Sequence, residues 1–373
     1  MSQQALSSQR FGRNPGRVRK VNRFFNYNNK VHDTKVSIQQ RETQIVNVQL
    51  GGQTQIEPSL VDMAENFVLK CTIANPGTTA TNWGIDLISS ITLRSGANTL
   101  LEYNPAKVYY RYILDKAPKE LRDRAKEVFF QGTTIYLPLP VPGSQLLYDN
   151  WSRPQGKPFP MGGLNSKRPI TWDIKFNTGA NLSSDNAANI SLSSVVLQYD
   201  EILMENPSQV RRPFSMSCKD IKIQPGTIAL GAGAEVEQSG LEALQGSVEG
   251  YYIYNQLDTN MQAADDQSIT EKIDEAEIFV DGRSLMKFTD QKQLQATHIL
   301  RGWNVADSDG TGQNYLFLSG FPSEDLKHAY LHTSGVKRIS MKLKTANASH
   351  CVIAAICHRT FSTSGNVIKV QEQ

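Results

Sequence analysis

Along most of the chain, apolar and polar residues alternate in short runs. This period of two predicts β-strands bounded by turn residues. ENFVLKCTIANPG (65–77) is the first long run, β-branched and apolar, and it closes on Asn-Pro-Gly. IDLISSITLRSGANTLLEY (85–103) predicts two strands around a Ser-Gly-Ala-Asn turn. In TTIYLPLPV (133–141), Ile135, Leu137, Leu139 and Val141 share a face, and Pro138 and Pro140 assign the run to a sheet edge or a strand end. ITWDIKFNT (170–178) turns Ile170, Trp172, Ile174 and Phe176 inward. SLSSVVLQYDEILM (191–204) predicts a strand pair or one long bent strand. The same texture returns in YYIYNQL (251–257), DEAEIFVDGRSLMKF (274–288), NYLFLSGF (314–321), VKRISMKLKT (336–345) and HCVIAAICHRTF (350–361).

Helical spacing interrupts this pattern in PAKVYYRYILDKAPKELRDRAKEVFFQG (105–132). Pro118 splits the stretch in two, Asp115 is a candidate cap beside the break, and Gly132 a stop. A short polar helix is predicted within FPSEDLKHAYL (321–331).

The strand pattern also repeats. ITLRSGANTLLEY (91–103) is an apolar strand, a glycine turn and Leu-Leu-Glu-Tyr; IFVDGRSLMKF (278–288) is an apolar strand, a glycine turn and Leu-Met-Lys-Phe. Gly96 and Gly282 lie 186 positions apart, half the chain length. The following elements keep the same order: ITWDIKFNT precedes VVLQYDEIL (195–203), and RISMKLKT (338–345) precedes VIAAICHRTF (352–361). With Thr178 and Thr345 aligned, Trp172, Ile174 and Phe176 correspond to Ile339, Met341 and Leu343. The expected fold is all-β with a few short helices, as two tandem eight-stranded jelly rolls. The boundaries read as a basic N-terminal arm (1–41), a first jelly roll (42–205) with the helical insertion near 105–132, a linker (206–212) and a second jelly roll (213–373).

A length of 373 residues suits two domains of ordinary size. The net charge of +3 does not describe a dedicated nucleic-acid binder. The basic charge is nevertheless concentrated. Arg10, Arg13, Arg17, Arg19, Lys20, Arg23 and Lys30 occur without an acidic residue among them, interleaved with Phe24, Phe25 and Tyr27. That mixture suits contact with phosphate, either lipid headgroups or packaged genome, and a solubilising tail is the bland alternative. No run reaches the roughly 18–20 apolar residues that span a bilayer. The polar start MSQQALSSQR lacks the apolar centre of a signal peptide, so synthesis and folding in a cytoplasm are expected.

Little in the chain suggests catalysis. Cys71, Cys218, Cys351 and Cys357 form no CxxC pair and are expected as buried free thiols, with Cys351 and Cys357 on one strand face. His328 and His332 in KHAYLH lack the Glu of HExxH, and DSDGTGQN (307–314) lacks the closing Glu of a calcium loop. GAGAEV (231–236) has Val236 where a dinucleotide loop needs its third glycine. No cofactor and no enzymatic activity are expected. A carbohydrate-binding tandem sandwich and a metal-dependent double-barrel enzyme are the alternatives. The first needs an exposed aromatic platform from Trp83, Trp151, Trp172 or Trp303; the second needs a histidine cluster with cupin spacing, which the six histidines lack.

Residues 65–103, the Leu-Pro-Leu-Pro strand in 133–147 and the following ITWDIKF resemble the first jelly roll of a capsid-protein family. These are the double jelly-roll major capsid proteins of tailless icosahedral phages with an internal membrane, the adenovirus-type lineage. The resemblance covers most of 42–361 by the order of elements. It implies a structural coat protein of the virion that assembles as pseudo-hexagonal homotrimers into an icosahedral shell. The implied partners are its own copies in the same and neighbouring capsomers, penton or other minor capsid proteins, and internal membrane lipids. It further implies that Arg10, Arg13, Arg17, Arg19, Lys20, Arg23, Phe24 and Phe25 contact the membrane or inner shell. Sequence-specific nucleic-acid binding is not expected.

Overall fold

The alternating runs form strands. A computed structural model describes residues 36–77, 83–117, 119–147, 158–163, 169–183, 185–204, 215–244, 246–256, 273–290, 292–293, 296, 315–317, 331–364 and 367–372. In the first half these are β1 (Val36–Gln44), β2 (Gln53–Ile56), β3 (Met63–Ala74), β4 (Ile88–Ser95), β5 (Asn98–Tyr103), β6 (Thr134–Pro138), β7 (Ile170–Phe176) and β8 (Ser191–Met204). A helical turn α1 (Trp83–Asp86) precedes β4, and helices α2 (Ala106–Lys116) and α3 (Lys119–Phe130) lie between β5 and β6. The strands pair as two four-stranded sheets, β1-β8-β3-β6 and β2-β7-β4-β5. Proline-bearing β6 stands at a sheet edge, where a missing donor costs no ladder bond.

The second half holds β9 (Ser215–Ile223), β10 (Ile228–Leu230), β11 (Glu235–Ser239), β12 (Ser247–Gln256), β13 (Glu275–Val280), β14 (Arg283–Phe288), β15 (Tyr315–Phe317), β16 (Leu331–His332), β17 (Ile339–Lys344), β18 (Ser349–Ser364) and β19 (Val367–Glu372). β9 and β10 both pair with β18 and act as one interrupted first strand. With that equivalence one sheet runs β9/β10-β18-β12-β15, with β16 continuing the place of β15 beside β12 and β19 added on β18, and the other is β11-β17-β13-β14. Counting strands within each half, both give the orders 1-8-3-6 and 2-7-4-5. This is the jelly-roll connection, present twice in one chain.

The repeated hairpins, β4–β5 and β13–β14, occupy the same place in the two halves, and each carries a bulge. Leu93 faces Leu101 while Arg94 faces Thr99, leaving Leu100 extra; Ile278 faces Met286 while Phe279 faces Ser284, leaving Leu285 extra. Leu100 and Leu285 are therefore counterparts, 185 positions apart. The turn glycines are one step out of that register. Gly96 has φ 58° at the first turn position, whereas Asp281 and Gly282, at 49° and 78°, make both turn positions left-handed.

The alignment of β7 with β17 needs correction by two residues. Trp172 faces Leu93 and Ile174 faces Ile91, while Met341 faces Ile278 and Leu343 faces Ala276. Trp172 thus matches Met341, and Ile174 matches Leu343. A slip of two leaves every inward residue inward, so alternation alone does not detect it.

The first-half core is centred on Phe67, whose ring lies 5.0 Å from Trp172 and 5.3 Å from Tyr199. Trp172 donates its indole N–H to the Pro140 carbonyl at 2.9 Å. Cys351 and Cys357 do share a face, in the second-half core with Ile278, Met341 and Leu343. All four cysteines are buried free thiols. The first sheet begins at Val36, inside the stretch assigned to the arm. Arm residues Arg10 to Phe25, the linker 206–212, positions 321–330 of the expected helix (His328 among them) and the loop 307–314 lie outside the described residues, while Leu331 belongs to β16.

Candidate functional site at the junction of the two halves

α2 is buried over its whole length, including Lys107, Arg111, Asp115 and Lys116. A helix with one apolar stripe would leave such charges in water. Here the opposite side of α2 meets the second half, packing on β4 and β5 behind and on β12 in front. Buried charges need partners, and the junction supplies them. Lys107 Nζ lies 3.2 Å from Asp86 and over the Tyr254 ring at 5.7 Å. Arg111 Nε lies 3.5 Å from Asp115. The Tyr252 hydroxyl donates to Asp115 Oδ2 at 2.8 Å, with its ring edge-on to Tyr112 at 5.5 Å. Asp115, expected as a cap, is instead a junction residue. The guanidinium of Arg122 donates to the Ala117 carbonyl at 3.3 Å, at the C-terminal end of α2 where a cation is favoured.

Two further ionic groups lie at the same boundary. Glu249 Oε2 is 2.9 Å from Lys219 Nζ and 3.5 Å from His358 Nε2. Burial pushes the Glu249 carboxyl up, but the Lys219 ammonium, the His358 hydrogen bond and the Lys116 charge together hold it far below the usual carboxylate range. Asp220 Oδ2 receives Arg359 Nη1 at 2.5 Å, while Asp220 Oδ1 accepts from Tyr103 at 2.7 Å and from the Ile221 N–H at 2.7 Å. Arg359 also donates to the Leu100 carbonyl at 3.3 Å, and Asn98 donates to the Ile368 carbonyl at 3.2 Å. Tyr103 and Asn98 belong to the first jelly roll, and Asp220, Arg359 and Ile368 to the second.

Between these polar groups the apolar contact is continuous. Met216, Cys218, Ile221, Tyr252, Tyr254, Val352, Ala354, Ile356, Phe361 and Ile368 belong to the same buried cluster as the first-half core. Tyr251, Ile253, Ile353 and Ala355 point the other way, into the second-half core. The sheet containing β12 and β18 is therefore buried on both faces, and every residue of β12 is buried. Burial pushes the Tyr103 and Tyr109 hydroxyls and the Cys71 thiol up, so at neutral pH they stay protonated. The chemistry of the junction is adhesion: neutral phenols donating, paired ions compensating one another, and apolar surface removed from water.

Sequence reasoning identified none of these junction residues as a site. Its candidates, Arg10, Arg13, Arg17, Arg19, Lys20, Arg23, Phe24 and Phe25, lie outside the described residues. The available signal was a charged 11-residue helix inserted in a strand-rich chain, an unusual element for a plain sandwich. Trp83 and Trp172 are each 0% exposed, which removes two of the four tryptophans from any sugar-stacking platform.

No protein-family profile matches the chain, and no curated protein sequence does. Solved structures do match over nearly the whole length. A quasi-atomic model of the PBCV-1 virus capsid aligns at TM-score 0.68 and 11% identity, covering 93% of this chain and 99% of that one. The Faustovirus major capsid protein aligns at TM-score 0.61 and 10% identity, covering 96% of each chain. A chain of the Sputnik virophage aligns at TM-score 0.54 and 10% identity, covering 91% of this chain and 88% of that one. At such identities the likeness is one of fold, and together with the strand order it identifies the chain as a double jelly roll.

Proposed function

We propose that the chain is a major capsid protein that self-assembles, as pseudo-hexagonal homotrimers, into an icosahedral virus shell. The observation that carries this reading is the junction. Two jelly rolls of matching strand order meet through a buried cluster continuous with the first-half core, so a single chain presents two similar towers held rigidly side by side. Three such chains supply six towers, which is what a hexagonal outline requires of a trimer. The role is structural, resting on shape and burial, with the virion as its location. The full-length similarity to capsid proteins supports it. The test is sedimentation and negative-stain imaging of the purified full chain. Trimers with a hexagonal outline, or larger shells, are expected; a monodisperse monomer at high concentration refutes the proposal.

The basic, aromatic-interleaved segment from Arg10 to Phe25 is proposed to face the shell interior and touch lipid phosphate. Co-sedimentation of the assembled protein with anionic vesicles should be lost when residues 1–30 are removed, while assembly persists.

A further inference from the structure

Each half sends an element across the junction. α2 belongs to the first half and packs on β12 of the second, while β19 belongs to the second half and packs on β5 of the first. β18 is 16 residues long, and β12 pairs with it only as far as His358. Beyond that point β19 takes the place of β12, setting Val367 to Glu372 against Ser364 to Arg359. The first jelly roll has no counterpart among the described residues, since β8 pairs there with β1 and β3 alone. β19 is thus an addition to the eight-stranded plan.

The main chain of β19 pairs with the second half, and its side chains serve the first. Ile368 is 1% exposed and lies in the buried cluster of the first-half core, as does Phe361 of β18; Val370, which faces Phe361, packs against the same cluster. Asn98 of β5 donates its amide to the Ile368 carbonyl at 3.2 Å. On the adjoining stretch of β18, Arg359 donates to the Leu100 carbonyl and to Asp220. Among the described residues β19 pairs with no strand but β18, so one ladder of backbone bonds and one apolar row hold it. An element held this lightly can open while the rest of the fold stays closed.

We infer that β19 is a strap: it seats reversibly, as an added strand, in a groove formed by β18 and β5, and in that seat it locks the two halves at this end of the junction. The groove accepts an extended segment with aliphatic side chains at alternating positions, which Ile368 and Val370 supply. With the strap lifted, β5 and the Arg359–Asp220 pair open toward water and the halves gain freedom to move. The inference concerns the chain's own junction, so it stands or falls independently of whether copies assemble.

The test is amide hydrogen exchange on the full chain carrying Ile368→Asp, with circular dichroism to follow folding. Both jelly rolls should stay folded. Exchange should quicken roughly tenfold or more in β5, in β19 and in Arg359 to Ser364, and stay unchanged in β3 and β7. A synthetic peptide of residues 365–373, GNVIKVQEQ, should displace the defective strap and restore protection in β5. The same peptide carrying Ile368→Asp should not. Fluorescently labelled, the unaltered peptide should bind the variant chain roughly tenfold or more tightly than the wild type, whose groove is filled. The milder Asn98→Ala should quicken exchange in β19 alone, with the melting temperature unchanged. An Ile368→Asp chain that unfolds altogether would make β19 part of the cooperative core and overturn the inference. Exchange in β5 unchanged from wild type, or a peptide that neither binds nor protects, would overturn it as well.

Discussion

Asp220→Asn probes the junction with little change in shape. Asp220 is 2% exposed and the Arg359 side chain 12% exposed, so their 2.5 Å contact is largely shielded from water. The substitution leaves one carbonyl oxygen for Tyr103 and the Ile221 N–H, but it sets an amide donor against the guanidinium. Removing one partner of a buried pair costs about 3–5 kcal/mol, because the remaining charge stays buried without compensation. The residual exposure of Arg359 places the expected loss near the lower end, about 3 kcal/mol. Urea denaturation at neutral pH and fixed chain concentration, followed by circular dichroism and tryptophan fluorescence, measures it. The midpoint should fall with the slope unchanged. Adding Arg359→Met should restore part of the loss, since the orphaned charge is then gone. A loss below about 1 kcal/mol, additive with the Arg359 substitution, would show that the pair does not support the bonds that Asp220 and Arg359 make to Tyr103 and Leu100 across the junction.

Two further outcomes follow from the same structure. Glu249 titrates well below its ordinary value near 4.5 in the folded state, so its stabilising contribution is complete above that pH and fades as pH falls through the depressed folded value. Glu249→Gln should therefore lower stability at neutral pH and flatten the acid limb of the stability curve; an acid limb unchanged from wild type would contradict the assignment. A Cβ at Gly84 would sit 2.6 Å from the Phe130 Cα and 2.9 Å from the Phe129 carbonyl oxygen. Gly84→Ala should accordingly cost at least 1–3 kcal/mol, roughly the range for overpacking, read as a lowered thermal midpoint. An unchanged midpoint would refute the close approach of α1 and α3.

Much of the strand plan was legible because a half-buried strand writes its burial into alternation, as ITWDIKF does. The β4–β5 and β13–β14 hairpins were legible because their turns demand left-handed residues. Val36 to Arg41 was not, because β1 is exposed along nearly its whole length and reads as polar arm. The two-residue slip between β7 and β17 was hidden by the period of the pattern itself. The junction was the least visible feature. Lys107, Arg111, Asp115 and Lys116 look like the wet side of a surface helix, and only the three-dimensional placement of β12 against α2 shows that they are buried. Tyr252 and Tyr254 look like ordinary alternating strand residues; their role depends on which half each face of the sheet meets.

The double-sided burial of the β12–β18 sheet has a consequence for any shell this chain builds. A hinge between two towers needs a thin, wet boundary that opens cheaply, and here bending would expose aromatic rings and strip buried ions of their partners. Each chain therefore behaves as a stiff tile. The curvature that turns a flat array into a closed container must be accommodated at the seams between molecules.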